Sequence, residues 1–422
     1  MTVVRGRLPV SRAAPRDRRA LWPVAACTAC MPLAYLLGLG AVVWIAPAFA
    51  LGVLALRRRD LRVPWSVLPI AALALWIPAT SVSLSGAGSF TVFLYRWSLW
   101  IAVIGAMVWL VNTPNRRVPT ARVVDLLASL WIVFVAFGYL ALLLPDVAVA
   151  SPFGRLLPSS IATNVFVSDL TIIRFAELQR FVGGVVPRPA APMIATNGWG
   201  STFAILTPFF VLSWLLVDDR RRRRIGWLLV VVAVPPFAVS TNRGAWLSLA
   251  IGLVYVAIRL ALRGATRPLA ATIACGVLAI GVVAVTPLGS TVQTRLDGAS
   301  ASNDTRESLY VQAWDRALDS PFVGYGEPIP NPPDPPIGTH GLVWYAMVAH
   351  GFPGLGLVLA IFAALLASTF RYRTRTGLWC HAAIVICALQ SPFYGLLPQI
   401  VIVGFAAGIC WRDVHLEAAS DG

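Results

Sequence analysis

The sequence predicts an all-α polytopic membrane protein, and three observations carry that reading. Of its 422 residues 58% are hydrophobic and 12% are charged, with a mean hydropathy of +0.75. A soluble domain carries roughly a quarter of its residues as charge. The apolar residues gather in runs near the ~20 that a helix needs to cross a bilayer, enough for about twelve spans. The basic residues are all arginine. They fall in short clusters between the runs, and every short cluster can be placed on one side, as the positive-inside rule requires.

The spans follow in order. Residues 1–19 form a basic polar tail, expected in the cytoplasm. The apolar stretch 21–56 is too long for a signal-peptide core and shows no cleavage site, so it should stay in the mature chain. Gly38-Leu39-Gly40 can split it into two short spans, and Arg57-Arg58-Arg59 marks the inside. Spans over 64–84 and 91–111 form a hairpin around Ser85-Gly86-Ala87-Gly88, and Arg116-Arg117 returns the chain to the inside. A span over 123–144 leads to the first long polar segment, 145–197. Spans follow over 199–217, 225–240 and 244–262, the first ending in Asp218-Asp219 and five consecutive arginines. A span over 269–287 opens the second polar segment, 288–340. Residues 341–350 are read as a short half-buried helix, stopped at Gly351-Phe352-Pro353-Gly354. Spans over 354–370, 378–395 and 397–411 complete the bundle, and 412–422 is a second cytoplasmic tail. The chain reads as one transmembrane domain over 1–422, its two long outer-face loops containing amphipathic helices. In this arrangement the inner side holds 25 arginines and 8 acids, net +17, and the outer side 9 arginines and 10 acids, net −1.

The formal charge of +16 is thus accounted for by topology rather than by nucleic-acid binding. The six cysteines lie in apolar spans; Cys27 and Cys30 have C-x-x-C spacing without a second ligand pair. The four histidines show no metal-ligand spacing, so no metal and no cofactor is expected. No internal repeat points to an inverted-repeat transporter.

Nine arginines fall outside against the topological preference: Arg96, Arg155, Arg174, Arg180, Arg188, Arg243, Arg295, Arg306 and Arg316. Arg243 sits in the short turn Thr241-Asn242-Arg243-Gly244 between two spans, too close to the bilayer to be a distant loop residue. Arg96 lies inside its span, where a charge needs a partner or a function; a structural salt bridge would serve equally. Asn303-Asp304-Thr305 reads as a helix N-cap before Arg306, with the helix running to about Asp319 and stopping at Ser320-Pro321. Its apolar face is Tyr310, Ala313, Trp314, Ala317 and Leu318. A cation in the first turn opposes the helix dipole, which makes sense if an anion sits at that N-terminus; a snorkelling arginine on an ordinary loop helix is the plainer alternative. His340 stands at the end of the loop, a candidate acid–base or phosphate-contact group.

At these residues the chain resembles the family of O-antigen ligases and O-antigen polymerases. Ser240-Thr241-Asn242-Arg243-Gly244-Ala245-Trp246-Leu247 resembles the family's S-R-G-A-W-L turn, with Asn242 for the usual serine. Asp304-Thr305-Arg306 followed by Ser320-Pro321-Phe322-Val323-Gly324-Tyr325-Gly326 resembles its arginine helix and P-x-x-G-x-G turn. The stretch from His340 to Gly354 resembles its H-N-x-Y-L…E-x-G-x-x-G block, with Gly341 for the asparagine and Ala349, beside His350, for the glutamate. Arg180-Phe181-Val182-Gly183 and Asn197-Gly198-Trp199-Gly200 match more loosely.

The resemblance implies glycosyl transfer at the outer face of the cytoplasmic membrane. The donor would be a glycan on undecaprenyl diphosphate and the acceptor a hydroxyl of a glycan or lipid-glycan, with no metal and no nucleic acid involved. Arg243, Arg306 and Arg180 would hold the diphosphate, with Arg174 and Arg96 as further contacts. His340 is the first choice for base or phosphate contact, with Glu177 and Asp304 in reserve. Two other classes compete. A flippase or transporter of lipid-linked glycan would place ionisable residues at mid-membrane, where few are found. A metal-dependent polyprenyl-phosphate-sugar transferase would place acids in the first outer turns, and residues 39–40 and 85–90 contain none. Ligase and polymerase need the same diphosphate site and differ in the acceptor.

Overall fold

The computed structural model describes residues 21–40, 42–84, 86–181, 184–274, 299–332, 334–372 and 374–420. The fold is mostly helical. The helices are α1 (Trp22–Ala29), α2 (Met31–Leu37), α3 (Ile45–Leu56), α4 (Leu68–Trp76), α5 (Gly86–Val111), α6 (Thr120–Leu143), α7 (Ser159–Ala162), α8 (Val165–Thr171), α9 (Thr196–Phe210), α10 (Arg220–Val239), α11 (Arg243–Ala261), α12 (Ala299–Asp319), α13 (Leu342–Thr369), α14 (Arg375–Gln390) and α15 (Ile400–Ser420). Among the described residues six helices are long and apolar enough to cross a membrane: Trp65–Ser83, Gly86–Val111, Thr120–Leu143, Thr196–Leu215, Arg243–Ala261 and Leu342–Thr369. Val42–Leu56 and Ile400–Arg412 are shorter apolar helices.

Trp100, Trp131, Phe134, Trp199, Phe209, Phe210 and Phe405 are buried in one apolar core. Large apolar side chains such as Leu75, Trp227 and Leu247 are exposed on the outside of the bundle, the distribution expected where lipid rather than water covers the surface. The arginine run after Asp219 does not precede its helix; it begins it. The Asp219 carboxylate accepts from the backbone N–H groups of Arg221 and Arg222 at 2.8 and 3.3 Å, an N-cap that satisfies two otherwise orphaned donors. Arg222 then pairs with Asp125 of α6 at 2.6 Å.

The expected breaks at Gly38 and Gly351 are both present. Gly38 ends α2 in the left-handed region, φ 83°. Within α13, Gly351 adopts φ 67°, ψ −173° and joins two helical pieces across a kink. The first piece, expected to be half-buried, is deeply buried from Tyr345 to Gly351. The span expected to start at 91 begins at Gly86, so the glycines read as a turn lie in the first turn of α5.

The outer loops depart further from expectation. Segment 145–197 holds α7 and α8 together with two antiparallel strand pairs. β1 (Ala148–Ala150) pairs with β2 (Ile172–Arg174), and β3 (Ala176–Phe181) with β4 (Gly184–Pro189). Ile172-Ile173 in β2 and Val185-Val186 in β4 are β-formers. β5 (Ile329–Asn331) and β6 (Asp334–Ile337) form a third pair.

In the second loop, α12 begins at Ala299. Asn303-Asp304-Thr305 therefore lies inside the helix rather than capping it, and Arg306 is about two turns in. The helix-tolerant Ala299-Ser300-Ala301-Ser302 segment carries the helix past the cap signal. The anion argument from the helix N-terminus thus no longer applies to Arg306. The helix does end at Asp319. Its buried seam is Leu309, Ala313 and Ala317, packed on Ile337, Met347 and Val348. Trp314 and Leu318, expected on that face, are half exposed.

Candidate functional site

The site is built on the turn between α10 and α11. Thr241 takes a left-handed φ of 48°, which reverses the chain within a few residues. Asn242 caps α11, its Oδ1 accepting from the Ala245 N–H at 3.3 Å. Its Nδ2 donates to the Thr196 and Asn197 carbonyls at 3.2 and 3.4 Å, tying this turn to the start of α9. A Cβ on Gly200 would stand 2.4 Å from Asn242 Nδ2, so only glycine lets α9 approach this closely. The asparagine that replaces the family's usual serine is thus a buried link between two helix ends.

Arg188 fixes the turn from the other side. It sits on β4 opposite Glu177 and is 9% exposed. Its Nε donates to the Ser240 carbonyl at 2.8 Å, and its guanidinium also donates to Gln179 Oε1. Glu177 uses one carboxylate oxygen to accept from the Thr196 N–H at 3.0 Å, at the start of α9, where an acid complements the helix dipole.

Tyr394, on the loop between α14 and α15, closes the site. Its hydroxyl donates to Asn242 Oδ1. The backbone N–H groups of Gly244 and Ala245 are directed at the Tyr394 hydroxyl oxygen, and the Arg306 and Arg188 guanidiniums lie within electrostatic reach of it. A Cβ on Gly244 would stand 2.4 Å from that hydroxyl. The same loop holds the start of α13: Leu342 N–H donates to the Tyr394 carbonyl at 2.8 Å and Val343 N–H to that of Ser391 at 3.2 Å.

His340 immediately precedes α13 and is partly buried. Burial holds its pKa below the ordinary 6.5, and the nearby Arg306 cation lowers it further. The Thr339 hydroxyl donates its one proton to the Pro336 carbonyl at 2.7 Å. It can then only accept from His340 Nδ1, 3.2 Å away. The network assigns the proton to Nδ1 and leaves the Nε2 lone pair available.

Arg306 is held on α12, whose packing on α13 is clipped by the 321–326 turn. Tyr325 and Gly326 N–H groups donate to the Val348 and Ala349 carbonyls at 3.0 and 2.8 Å, and Phe352 N–H to that of Pro321 at 2.8 Å. The positions where the resemblance is weakest, Ala349 and His350, lie at this clip. Ala349 is buried. His350 Nδ1 shares a hydrogen bond with Thr80 Oγ1 at 2.9 Å, and its carbonyl accepts from Trp76 Nε1 at 3.0 Å. His350 therefore joins two helices.

The remaining sequence candidates divide. Arg243, the first residue of α11, is exposed. The Arg180 backbone lies on β3, paired with Val185; its side chain, that of Asp304 and the whole of Arg295 lie outside the described residues. Arg174 forms an ion pair with Asp169. Arg96 has no carboxylate partner among the described ion pairs; its guanidinium lies between the rings of Phe166 and Tyr345, 4.7 Å from each centroid. Tyr394, Arg188 and the 240–244 turn thus come together, with Arg306 within electrostatic reach of Tyr394 and of His340, while Arg96 lies beside Phe166 and Arg174 beside Asp169. A cavity of about 230 Å³ has Phe166, Asp169 and Tyr394 among its lining residues. Among the described residues no group of three or more His, Cys, Asp or Glu could hold a metal ion.

Residues 237–359 match the family model for O-antigen ligase. That stretch of the chain is similar to the O-antigen ligase family. The match covers the α10–α11 turn, Arg306, the 321–326 clip and His340, and it agrees with the resemblance read from those motifs. Members of that family are membrane ligases and polymerases of glycosyltransferase type, working in general on a lipid-linked glycan and an acceptor. Together with the membrane-length apolar helices, this similarity supports a membrane protein of polysaccharide biosynthesis. No curated protein matches the chain. Arg188 and Tyr394 lie outside the matched segment, and neither was selected from the sequence as a site residue.

Proposed function

We propose that the protein transfers a glycan from an undecaprenyl-diphosphate-linked donor to an acceptor hydroxyl at the outer face of the cytoplasmic membrane. What carries this is that Arg306 lies within electrostatic reach both of His340 and of Tyr394, whose hydroxyl bonds Asn242 in the α10–α11 turn. In the reaction the acceptor oxygen attacks the anomeric carbon and the bond from that carbon to the diphosphate breaks. The diphosphate leaves with the bonding electrons, and the acceptor proton passes to His340 Nε2. Arg306 faces the charge that grows on the leaving oxygens, with Arg243 and Arg180 completing the cation set. Arginine suits this role because its planar fork can bond two phosphate oxygens at once. Arg174 and Arg96 contact the donor more remotely; Glu177 and Asp304 are reserve bases. No metal is needed if arginines carry the leaving-group charge. The whole chain makes about twelve spans with both termini inside.

The deciding experiment isolates the lipid-linked glycan that accumulates in cells lacking the protein and supplies it to the purified protein in the presence of a chelator. Transfer with release of the lipid diphosphate is expected. Absence of accumulation, or transfer that returns only with a divalent ion, would overturn this reading.

The topology predicts that a cysteine placed at Ser302 reacts with an impermeant thiol reagent in intact cells. Labelling only after lysis would put α12 on the wrong side for a lipid-linked donor.

The protonation state of His340 gives a pH prediction. A base acts in its neutral form, so activity should be lost as pH falls through its folded-state pKa. Because burial and Arg306 both lower that pKa, the acid limb of the rate profile is expected below pH 6.5. His340→Gln should reduce the rate roughly a hundredfold or more, and Arg306→Gln should move the limb of the residual activity upward. A limb unmoved by Arg306→Gln would separate the two groups.

A further inference from the structure

Three arginines share a cleft at the end of α11 remote from the Arg243 turn. The cleft is about 580 Å³ and is lined by Arg259, Arg263, Phe370 and Arg371. Arg259 Nη1 donates to the Tyr255 hydroxyl at 2.6 Å, and its Nη2 donates to the Phe370 carbonyl at 2.8 Å. Its guanidinium also lies over the Phe370 ring, 4.3 Å from the centroid. Arg263 Nη2 donates to the Tyr372 carbonyl at 3.1 Å. Both therefore brace the C-terminal end of α13, where cations complement the helix dipole. Bracing explains two of the three and fixes them in place. Arg371 is exposed and braces nothing among the described residues. Neither Arg259 nor Arg371 belongs to an ion pair among the described residues, and none of the described acids lines the cleft. Like charges fixed around one cleft repel one another, and a phosphate between them relieves that repulsion.

An apolar stripe leads to this cleft. Leu247, Ile251, Val254, Ile258 and Leu262 are all exposed among the described residues, and their spacing of three and four puts them on one face of α11 through its C-cap. Arg259 and Arg263 follow Ile258 and Leu262 by one residue, so the basic pair borders the stripe at its end. The 19 residues of α11 rise about 28 Å at ~1.5 Å each, close to the thickness of the hydrocarbon core. We propose that the cleft binds the phosphate of an anionic phospholipid whose acyl chains lie along this stripe, in the leaflet opposite the proposed transfer site. Basic clefts between membrane helices suit anionic headgroups, and the planar guanidinium suits a phosphate. A soluble phosphate would use the arginines and leave the stripe with no part in binding. The inference requires only that α11 crosses the membrane, so it stands or falls apart from the glycan-donor reading.

Binding is measured on the purified full chain in a neutral detergent, where no anionic surface attracts arginines in general. The probes are dioleoyl phosphatidylglycerol, dioleoyl phosphatidylcholine, and glycerophosphoglycerol, the first headgroup without its chains. The wild type is expected to bind phosphatidylglycerol roughly tenfold tighter than phosphatidylcholine, about the effect of one charge-assisted hydrogen bond, and tighter than the bare headgroup. Arg259→Gln and Arg371→Gln should lose that preference. Arg259 also braces Tyr255 and Phe370, so Arg371→Gln, at an exposed position, keeps the test usable if Arg259→Gln folds poorly. Arg224→Gln removes the same charge near the same membrane surface, at an exposed position outside the cleft, and should keep the preference. No preference in the wild type, a preference kept by Arg371→Gln, or an equal loss in Arg224→Gln overturns the site. A bare headgroup that binds as tightly as the lipid overturns the lipid in favour of a soluble phosphate.

Discussion

Replacing Arg306 with alanine is expected to lower glycan transfer about a hundredfold at matched expression. The guanidinium lies within electrostatic reach of His340 and Tyr394 in a partly buried position, where charge is less screened than in water. Its contact with the diphosphate strengthens as the leaving oxygens gain charge, so its loss falls on the transition state rather than on binding. Loss of one such preorganised donor costs about 3 kcal/mol in comparable oxyanion sites. Lysine keeps the charge but loses the two-pronged contact, and should restore activity only in part. Arg316 is the control on the same helix: it is exposed and pairs with Asp319 at 3.5 Å, an arrangement worth little in water. Arg243→Ala, at the exposed start of α11, should act in the same direction as Arg306→Ala. The diphosphate is misplaced if Arg306→Ala transfers at the wild-type rate, or if Arg316→Ala is equally damaging.

What could be read from the sequence was whatever is local in it. The span boundaries follow hydropathy and arginine clusters, and the break at Gly351 follows the Gly-Phe-Pro-Gly stop. Arg306 and His340 could be selected because each sits in a short motif with a recognisable neighbour. Asn303-Asp304-Thr305 misled because a cap signal acts only where the residues before it leave the helix, and Ala299 to Ser302 do not. For Arg96 a structural salt bridge and a function stood as equal readings; its guanidinium lies between an aromatic ring of α8 and one of α13, and no sequence spacing brings Phe166 and Tyr345 together. Arg188 lies on a strand whose register decides that it faces Ser240. Tyr394 stands 152 residues from the Asn242 side chain it bonds, in a Ser-Pro-Phe-Tyr-Gly loop with no polar cluster to mark it. Such residues become legible only after the helices have packed.

Gly351→Ala is the substitution expected to damage the fold most. At φ 67°, ψ −173° the backbone is in a region open in practice only to glycine, and strain there costs about 1–3 kcal/mol. A Cβ at this position would also lie 2.3 Å from the Phe322 carbonyl oxygen. Phe322 belongs to the turn that clips α12 onto α13, where Phe352 N–H bonds the Pro321 carbonyl. Relief of the clash must therefore push the clip away from the kink or straighten the kink itself. Either movement shifts Arg306 relative to His340, because the first rides on α12 and the second is fixed at the start of α13. The expected result is a lower unfolding temperature in detergent together with a loss of transfer larger than the loss of folded protein explains. Gly356→Ala serves as the comparison: it lies on the same helix, and its added Cβ meets nothing within 4 Å. Alanine there should leave stability unchanged or raise it slightly through helix propensity. If both alanine variants unfold at the same temperature and transfer at the same rate, the kink does not hold the two halves of the site in register.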